Sequence, residues 1–335
     1  MLKTAEFVSL GHPDKTADYI SSYILDNLIC YDKNTRYAVE VMIKDNTVVL
    51  GGEVCSKANL DNLENIVKDA LRQIGYDEKY ALVWGENAIN INKIKVINLI
   101  GYQSSEISQG VTSGGWGDQG VFAGYACQGK GFQPKELYLA KKLNHDLYQK
   151  ALKTENLGLD IKTQITIDEN KNIKTAIVAI PMLEHVDLTD FVINSLEQKP
   201  EEIIINGTGS YKCHSSIADC GITGRKLACD FYSVSCPVGG GSPWAKDATK
   251  ADVSLNILAR KLAIEHLNDN DEVFVYLSSC IGKDKLPSAV VKTIKDGFCS
   301  YISLNQDISP SNVIKTLSLD KPVFAKLCKE GIVHL

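Results

Sequence analysis

The chain has 335 residues, with 36 Lys and Arg against 41 Asp and Glu, so its formal net charge is minus five. A mildly acidic chain lacks the broad basic face that binds nucleic acid or an anionic membrane, although a local anion site stays possible. With 44% hydrophobic and 23% charged residues, the composition is that of a globular protein.

The first predicted unit has the element order helix, strand, strand, helix. Pro13 suits the first turn of the opening helix, because its missing N–H would be unpaired there, and Ile and Leu recur on one helix face as far as Ile29. Two strands meet at the Asp45-Asn46 turn, and Gly75 ends the second helix. The predicted elements are a helix at 13–29, strands at 36–44 and 47–54, and a helix at 60–74.

Two later segments repeat this order. The second has a helix at 137–152, strands at 161–167 and 173–183 that turn at Glu169-Asn170, and a helix at 188–196. The third has a helix at 248–267, strands at 272–281 and 288–294, and a short helix after Pro310. The first helices start roughly 110 to 125 residues apart, which is too long for a solenoid repeat. We predict an α+β protein of three related units, 1–101, 111–212 and 213–335, each an antiparallel sheet with helices on one face and with some elements interleaved between units.

Glycine-bearing polar segments lie between these elements and carry the candidate chemistry. Gly11-His12-Pro13-Asp14-Lys15 opens a helix, whose N-terminal N–H groups and dipole favour an anion. The triple glycine of 239–247 leads into another helix, followed by Lys250 and Asp252. These segments together predict an anion pocket lined by lysine, arginine and aspartate.

Arginine is scarce, because only four of the 36 basic residues are Arg. Arg225 lies in the loop Ile222-Thr223-Gly224-Arg225-Lys226, where its planar guanidinium could make a two-point contact to phosphate or carboxylate. A surface arginine without a partner is the alternative. Asp160 and Lys162 stand where the hairpin of the second unit begins.

Three other patterns argue against particular protein classes. The ten cysteines lack the short separations of a zinc knuckle, so we expect reduced thiols of a cytosolic protein. Gly115 to Gly120 satisfies G-x-G-x-x-G, but no strand precedes it within a βαβ unit, which argues against dinucleotide binding. No apolar targeting segment follows Met1 and no apolar stretch is long enough to span a membrane, so we expect a cytoplasmic location.

Four motifs, in one order along the chain, resemble the S-adenosylmethionine synthetase family. They are the pentapeptide at 11–15, Gly-x-Gly-Asp-Gln-Gly at 115–120, Asp-Cys-Gly-Ile-Thr-Gly-Arg-Lys at 219–226, and the triple glycine with Lys246-Asp247. The resemblance implies three related units around a pseudo-threefold axis, and a homodimer with active sites at the subunit interface, a tetramer being possible. It implies that ATP and L-methionine give S-adenosylmethionine and triphosphate, which is cleaved to pyrophosphate and phosphate, with Mg²⁺, two per site, and K⁺ as cofactors.

The resemblance also implies roles for individual residues. The expected catalytic groups are His12, Lys162, Arg225 and Lys246. The expected contacts to ATP and triphosphate are His12, Lys15, Asp160, Lys162, Tyr211, Asp219, Arg225, Lys226, Ser242, Lys246 and Lys250. The expected contacts to methionine are Glu53, Gln103, Asp118, Asp219, Lys250 and Ile281. The expected metal ligands are Asp14 and Asp252 for Mg²⁺ and Glu40 for K⁺, and residues 103–115 correspond to a mobile loop over the site.

This chemistry suits a site rich in lysine. A thioether sulfur attacks as a neutral nucleophile and needs no general base, whereas the departing triphosphate needs cations and N–H donors around it. Two alternatives stay open: an ATP-dependent phosphotransferase or triphosphatase that uses the same cations, and a non-catalytic nucleotide-binding paralogue. The chain departs from the family at Trp116, where alanine is usual, and at Ser242-Pro243-Trp244, where Ala-Phe-Ser is usual.

Overall fold

The computed structural model describes residues 2–102 and 114–334. Within these ranges the α-helices are α1 Pro13–Tyr31, α2 Leu63–Ile74, α3 Glu78–Trp84, α4 Lys135–Ala151, α5 Thr189–Leu196, α6 Ser215–Ala218, α7 Leu227–Asp230, α8 Ala251–Glu265, α9 Pro310–Thr316 and α10 Phe324–Glu330. The strands are β1 Lys3–Val8, β2 Arg36–Lys44, β3 Thr47–Cys55, β4 Lys95–Tyr102, β5 Gly120–Cys127, β6 Lys162–Ile167, β7 Ile173–Ala179, β8 Glu202–Ile205, β9 Gly221–Ile222, β10 Glu272–Ser279, β11 Ser288–Lys295 and β12 Phe298–Ser303. The predicted helices and hairpins are confirmed, although β7 ends four residues before the predicted Leu183.

The strands form three four-stranded sheets, and the predicted α+β class is confirmed. The first sheet has the order β4-β3-β2-β9, the second β1-β6-β7-β8 and the third β12-β11-β10-β5. Each sheet is built on an antiparallel hairpin, but β3 pairs with β4, and β7 with β8, in parallel. Helices connect these parallel pairs, as a crossover requires. A tight turn at Asp296-Gly297 connects β11 to β12, so that pair is antiparallel.

One edge strand of each sheet comes from a different part of the chain, and the exchange is cyclic. β1, which precedes α1, borders the second sheet through β6. β5, which precedes α4, borders the third sheet through β10. β9, which precedes α8, borders the first sheet through β2. The exchange brings the residues around 11–15 against those around 219–226. The contact is close, since a Cβ on Gly221 would lie only 2.2 Å from the carbonyl oxygen of Pro13.

The core lies between the sheets and the helices α1, α4 and α8. Along β2 the side chains alternate, with Tyr37, Val39, Val41 and Ile43 fully buried on the face that α1 covers. Burying a large aliphatic side chain stabilises the fold by about 1.5–3 kcal/mol, so this face holds α1 firmly against the first sheet. No helix in the described part of the chain is long and apolar enough to cross a membrane.

Candidate active site

The N-terminus of α1 presents a buried, neutral histidine. His12 is the N-cap, with Pro13 in the first turn, and its Nδ1 accepts the backbone N–H of Asp14 at 3.2 Å. Burial, together with the positive charges of Lys226 and Lys162, lowers the pKa of His12 to about 3. Because Nδ1 is an acceptor, the single proton of the neutral ring lies on Nε2. His12 is therefore a hydrogen-bond donor at neutral pH.

Asp14 joins α1 to the loop that follows β9. Its Oδ1 accepts the N–H of Ile222 at 2.9 Å, and its Oδ2 accepts from Lys226 Nζ at 2.5 Å. The guanidinium of Arg225 lies 3.7 Å from Oδ1 and also donates to the carbonyl of Cys220. Burial alone would raise the pKa of Asp14, but the bonds from Lys226 and Ile222 outweigh it and hold that pKa below its usual range. Two cations thus surround a carboxylate beside the donor His12.

The side chain of Lys15 points away from that of Asp14, and its ammonium does not lie beside Lys226 and Arg225. Its Nζ bonds Asp230 at 2.8 and 3.0 Å and Asp18 at 3.2 Å, and it lies 4.8 Å from the centre of the Trp244 ring. All four residues are buried. Successive residues of a helix point about 100° apart, which turns Lys15 into the core when Asp14 faces the loop. We therefore leave Lys15 out of the candidate anion site.

The partners of Lys15 were not predicted from the sequence. Asp18 also accepts the N–H of Gly224 at 2.8 Å, and the Trp244 indole donates to Asp230 at 2.8 Å. The spacing of Lys15 and Asp18, three residues apart on one helix, is a signal that could have revealed the first pair. Trp244 is one of the two departures from the family noted above, and it completes this buried network. The other, Trp116, is fully buried in the core under the third sheet.

A second lysine–aspartate pair joins the glycine-rich loop before α8 to the first turn of that helix. Asp252 accepts the N–H of Gly241 and the ammonium of Lys246, each at 2.7 Å. This loop lies against the loop after β9, since a Cβ on Gly224 would be 3.0 Å from the Cβ of Ser242. Lys250 occupies the N-cap position of α8. The two cation-bearing loops are thus neighbours.

The start of the second hairpin adds Asp160 and Lys162. Asp160 Oδ2 accepts the N–H of Ser215 at 3.1 Å, and burial raises the pKa of this carboxyl to about 6. Lys162 and Asp219 both act electrostatically on Asp160, Lys162 lowering and Asp219 raising its pKa. Burial raises the pKa of the Tyr211 hydroxyl, and the charge of Asp160 raises it further. Segments 160–162 and 211–219 are thereby neighbours, close enough to His12 for Lys162 to affect it.

Glu40 lies on the outer face of the first sheet, next to the loop that follows β9. Its carboxylate accepts a hydrogen bond from the Thr223 hydroxyl, whose oxygen also accepts the N–H of Val41. Asp118 and Ile281 are exposed and lie together beside the third sheet, where Ser279 donates to the Asp118 carbonyl. In the described residues no hydrogen bond or ion pair joins Glu53, Asp118 or Ile281 to the cluster of His12, Asp14, Arg225 and Lys226. Gln103 lies outside the described residues, as does most of the loop assigned to 103–115.

The candidate metal ligands are separate carboxylates. Within residues 2–102 and 114–334, no three His, Cys, Asp or Glu side chains form a metal-binding group. Asp14 and Asp252 each bond one lysine instead. The ten cysteines are free thiols. His214, which adjoins Cys213, bonds Tyr80 at 2.6 Å.

Comparison with known proteins places this chain in a family. Models for the N-terminal, central and C-terminal domains of S-adenosylmethionine synthetase match residues 1–108, 113–214 and 213–334. The chain belongs to the S-adenosylmethionine synthetase family. The resemblance inferred from the motifs is confirmed.

Relatives of known name match over almost their whole length. An S-adenosylmethionine synthase of Mycoplasma capricolum is 33% identical, and the match covers 98% of this chain and 92% of that relative. An S-adenosylmethionine synthase of Borrelia garinii is 32% identical, and the match covers 98% of this chain and 91% of that relative. A solved structure, described as an unusual S-adenosylmethionine synthetase from Campylobacter jejuni, superposes with a TM-score of 0.88 at 33% identity, covering 100% of this chain and 95% of the other. Fold and sequence thus agree on the family.

Proposed function

We propose that the chain is a methionine adenosyltransferase, which transfers the adenosyl group of ATP to the sulfur of L-methionine and releases triphosphate. Triphosphate is then hydrolysed to pyrophosphate and phosphate. The main observation that supports this proposal is the ion pair of Asp14 with Lys226 at 2.5 Å, beside Arg225 and the neutral donor His12. Family membership supports the same reaction.

The charge state of His12 fits this reaction. Methionine sulfur is a neutral nucleophile with no proton to lose, so attack on the ribose C5' needs no general base. The C5'–O bond breaks as charge develops on the bridging oxygen of triphosphate, and a fixed N–H donor stabilises that oxygen. A histidine with a pKa of about 3 and its proton on Nε2 is a donor throughout the physiological pH range.

The lysine and arginine side chains of the site would bind and stabilise the triphosphate leaving group. We assign Lys162, Arg225, Lys226, Lys246 and Lys250 to triphosphate, and Asp160, Tyr211, Asp219 and Ser242 to the rest of ATP. Arg225 can donate two parallel bonds to one phosphate, and its half-exposed side chain is open to ligand. Glu53, Gln103, Asp118, Asp219, Lys250 and Ile281 are assigned to methionine from the family pattern.

The residues fit Mg²⁺ held mainly by phosphate. In sites of this kind magnesium uses one or two carboxylates and takes its other ligands from phosphate and water, so a three-residue protein cluster is not needed. Asp14 and Asp252 would supply the carboxylates for two ions, sharing them with Lys226 and Lys246. Bound magnesium would neutralise charge on the phosphate oxygens. Glu40 would hold K⁺.

A homodimer is part of this proposal. An apolar row crosses the outer face of the first sheet, where Ile222, Met42, Val49 and Ile97 stand opposite one another in register. Met42 is 40% exposed, Ile97 46% and neighbouring Leu99 65%. An exposed apolar strip on a sheet face is typical of a subunit interface. Light scattering should give a dimer or tetramer mass, and a monomer at micromolar concentration would contradict this part.

A cytoplasmic location is also proposed, because ten free cysteines suit a reducing compartment.

Incubation with ATP, methionine, Mg²⁺ and K⁺ tests the reaction. We expect S-adenosylmethionine by mass spectrometry, with pyrophosphate and phosphate in equal amounts. Release of γ-phosphate that is independent of methionine, without adenosyl transfer, would indicate the phosphotransferase or triphosphatase alternative. ATP binding without any turnover would indicate the non-catalytic paralogue. Either result contradicts the proposal.

A further inference from the structure

A partly buried tyrosine, Tyr80, and a buried histidine, His214, form a hydrogen-bonded pair next to the backbone on both sides of Asp160. The Tyr80 hydroxyl is 2.6 Å from His214 Nε2. Trp84 covers both rings, stacking on Tyr80 with centroids 5.7 Å apart and meeting His214 edge-on at 4.6 Å. Both His214 and Trp84 are buried. The two polar groups therefore have each other as partners in place of water.

The hydrogen bonds of the pair have one consistent direction. His214 Nδ1 is 2.7 Å from the carbonyl oxygen of Lys212, so Nδ1 carries the proton and donates. Burial lowers the pKa of His214 to about 4, so the ring is neutral and Nε2 is an acceptor at neutral pH. The Tyr80 hydroxyl donates to Nε2, and its oxygen accepts the backbone N–H of Leu159 at 3.2 Å.

Each member of the pair contacts or adjoins a residue that positions Asp160: Tyr80 bonds the backbone of Leu159, and His214 adjoins Ser215. Leu159 immediately precedes Asp160 in the chain. Ser215 immediately follows His214, and its N–H is the donor to Asp160 Oδ2 at 3.1 Å. The pair thus ties together the two backbone segments that set the position of this carboxylate.

The backbone is closely packed at both segments. Gly158 is so near His214 that a Cβ there would lie 3.0 Å from Nε2. Ser215 has a φ of 57°, a conformation that a residue other than glycine seldom adopts without external support. His214 supports it from the preceding position, with its own N–H bonded to the carbonyl of Asn87 at 2.8 Å.

We propose that Tyr80 and His214 are positioning residues that fix the Asp160 carboxylate for ATP. This inference rests on the proposed function, which assigns Asp160 to ATP. Neither side chain contacts the substrate, because both act through the backbone of Leu159 and Ser215. Their loss should therefore weaken nucleotide binding before it affects the chemical step.

Tyr80→Phe is the first test, because it removes the hydroxyl and keeps the ring that packs on Trp84. We expect the Kd for ATP, measured by equilibrium dialysis without methionine, to rise about tenfold, the size typical of one lost buried hydrogen bond. The KM for ATP should rise in parallel, with kcat reduced less than threefold. His214→Leu should behave like Tyr80→Phe, whereas His214→Gln keeps an acceptor for Tyr80 and should recover most of the affinity.

Tyr125→Phe is the matched control. It also removes a tyrosine hydroxyl from a hydrogen bond, here 2.8 Å to Glu272 in the third sheet. It should leave the Kd for ATP unchanged. If Tyr80→Phe and Tyr125→Phe lower the melting temperature equally and neither changes ATP affinity, Tyr80 is merely structural and the proposal is overturned.

A double-mutant cycle with Asp160→Asn makes the link explicit. Tyr80→Phe should cost little further ATP affinity in the Asp160→Asn background, since coupled residues are not additive. Fully additive losses would overturn the proposal. If the wild type binds ATP but makes no S-adenosylmethionine, the proposed function fails, while the same affinity measurements still decide the role of Tyr80. If the wild type binds no ATP, both fail.

Discussion

Replacing the buried Lys15 with methionine should separate a structural lysine from a phosphate-binding one. The ammonium lies within 3.2 Å of the Asp18 and Asp230 carboxylates, and the three side chains are at most 3% exposed. Removing one partner of a buried ion pair costs about 3–5 kcal/mol, because a charge is left uncompensated. We expect Lys15→Met to lower the free energy of unfolding in urea by about that amount at pH 8.

The loss should depend on pH in a defined direction. Burial raises the pKa of Asp18 to about 7, although Lys15 acts against the rise. A carboxyl whose folded pKa exceeds its unfolded value contributes stability at low pH and loses it as pH increases through the folded pKa. Without the ammonium the Asp18 pKa rises further, so the variant should be less impaired at pH 5.5 than at pH 8.

Two controls accompany this variant at one protein concentration. Lys68→Met breaks an exposed ion pair with Glu64 and should change stability by less than about 0.5 kcal/mol. Adding Asp18→Asn and Asp230→Asn to Lys15→Met should recover part of the loss, because no buried charge is then unpaired. A Lys15→Met protein with wild-type stability and a tenfold higher KM for ATP would refute this reasoning and return Lys15 to the triphosphate site.

Three further predictions concern the site itself. His12→Ala should reduce kcat for adenosyl transfer at least about 100-fold while the Kd for ATP changes less than threefold; equal losses in both would make His12 structural. Arg225→Lys should slow triphosphate hydrolysis, measured as phosphate release, because the planar two-point contact is lost; unchanged turnover would exclude Arg225 from phosphate binding. Gly11→Ala should destabilise the protein by about 1–3 kcal/mol, because its Cβ would lie 2.3 Å from the Leu159 carbonyl oxygen; a wild-type melting temperature would disprove that close contact.

The helices and hairpins were predictable because their signals are local. Pro13 does occupy the first turn of α1, and Gly75 ends α2 with a φ of 105°. The edge strands were not predictable in the same way. β9 has two residues, too few to show any alternation, and its partner β2 lies almost 180 residues earlier in the chain. Pairing of that kind is decided by tertiary packing.

The site was predictable as a set of motifs but not as a set of contacts. The family pattern assigns Asp14 to Mg²⁺ and Lys15 to triphosphate, which predicts that both lie at one site, whereas the helix directs Asp14 to Lys226 and Lys15 into the core. His214 and its partner Tyr80 are 134 residues apart in the chain. A single sequence carries no signal for such a pair.

The cyclic exchange of edge strands has a consequence for synthesis of the protein. A ribosome that has released residues 1–102 has produced β2, β3 and β4, but the outer edge of β2 stays open until Gly221 and Ile222 emerge. β1 likewise waits for β6, and β5 for β10. Open strand edges pair readily with other chains, so partial translation products should aggregate or engage chaperones. Because Asp14 meets Ile222 and Lys226 only after β9 docks, the candidate active site cannot form until residues 221–226 have left the ribosome, and translation products that end before them should be inactive.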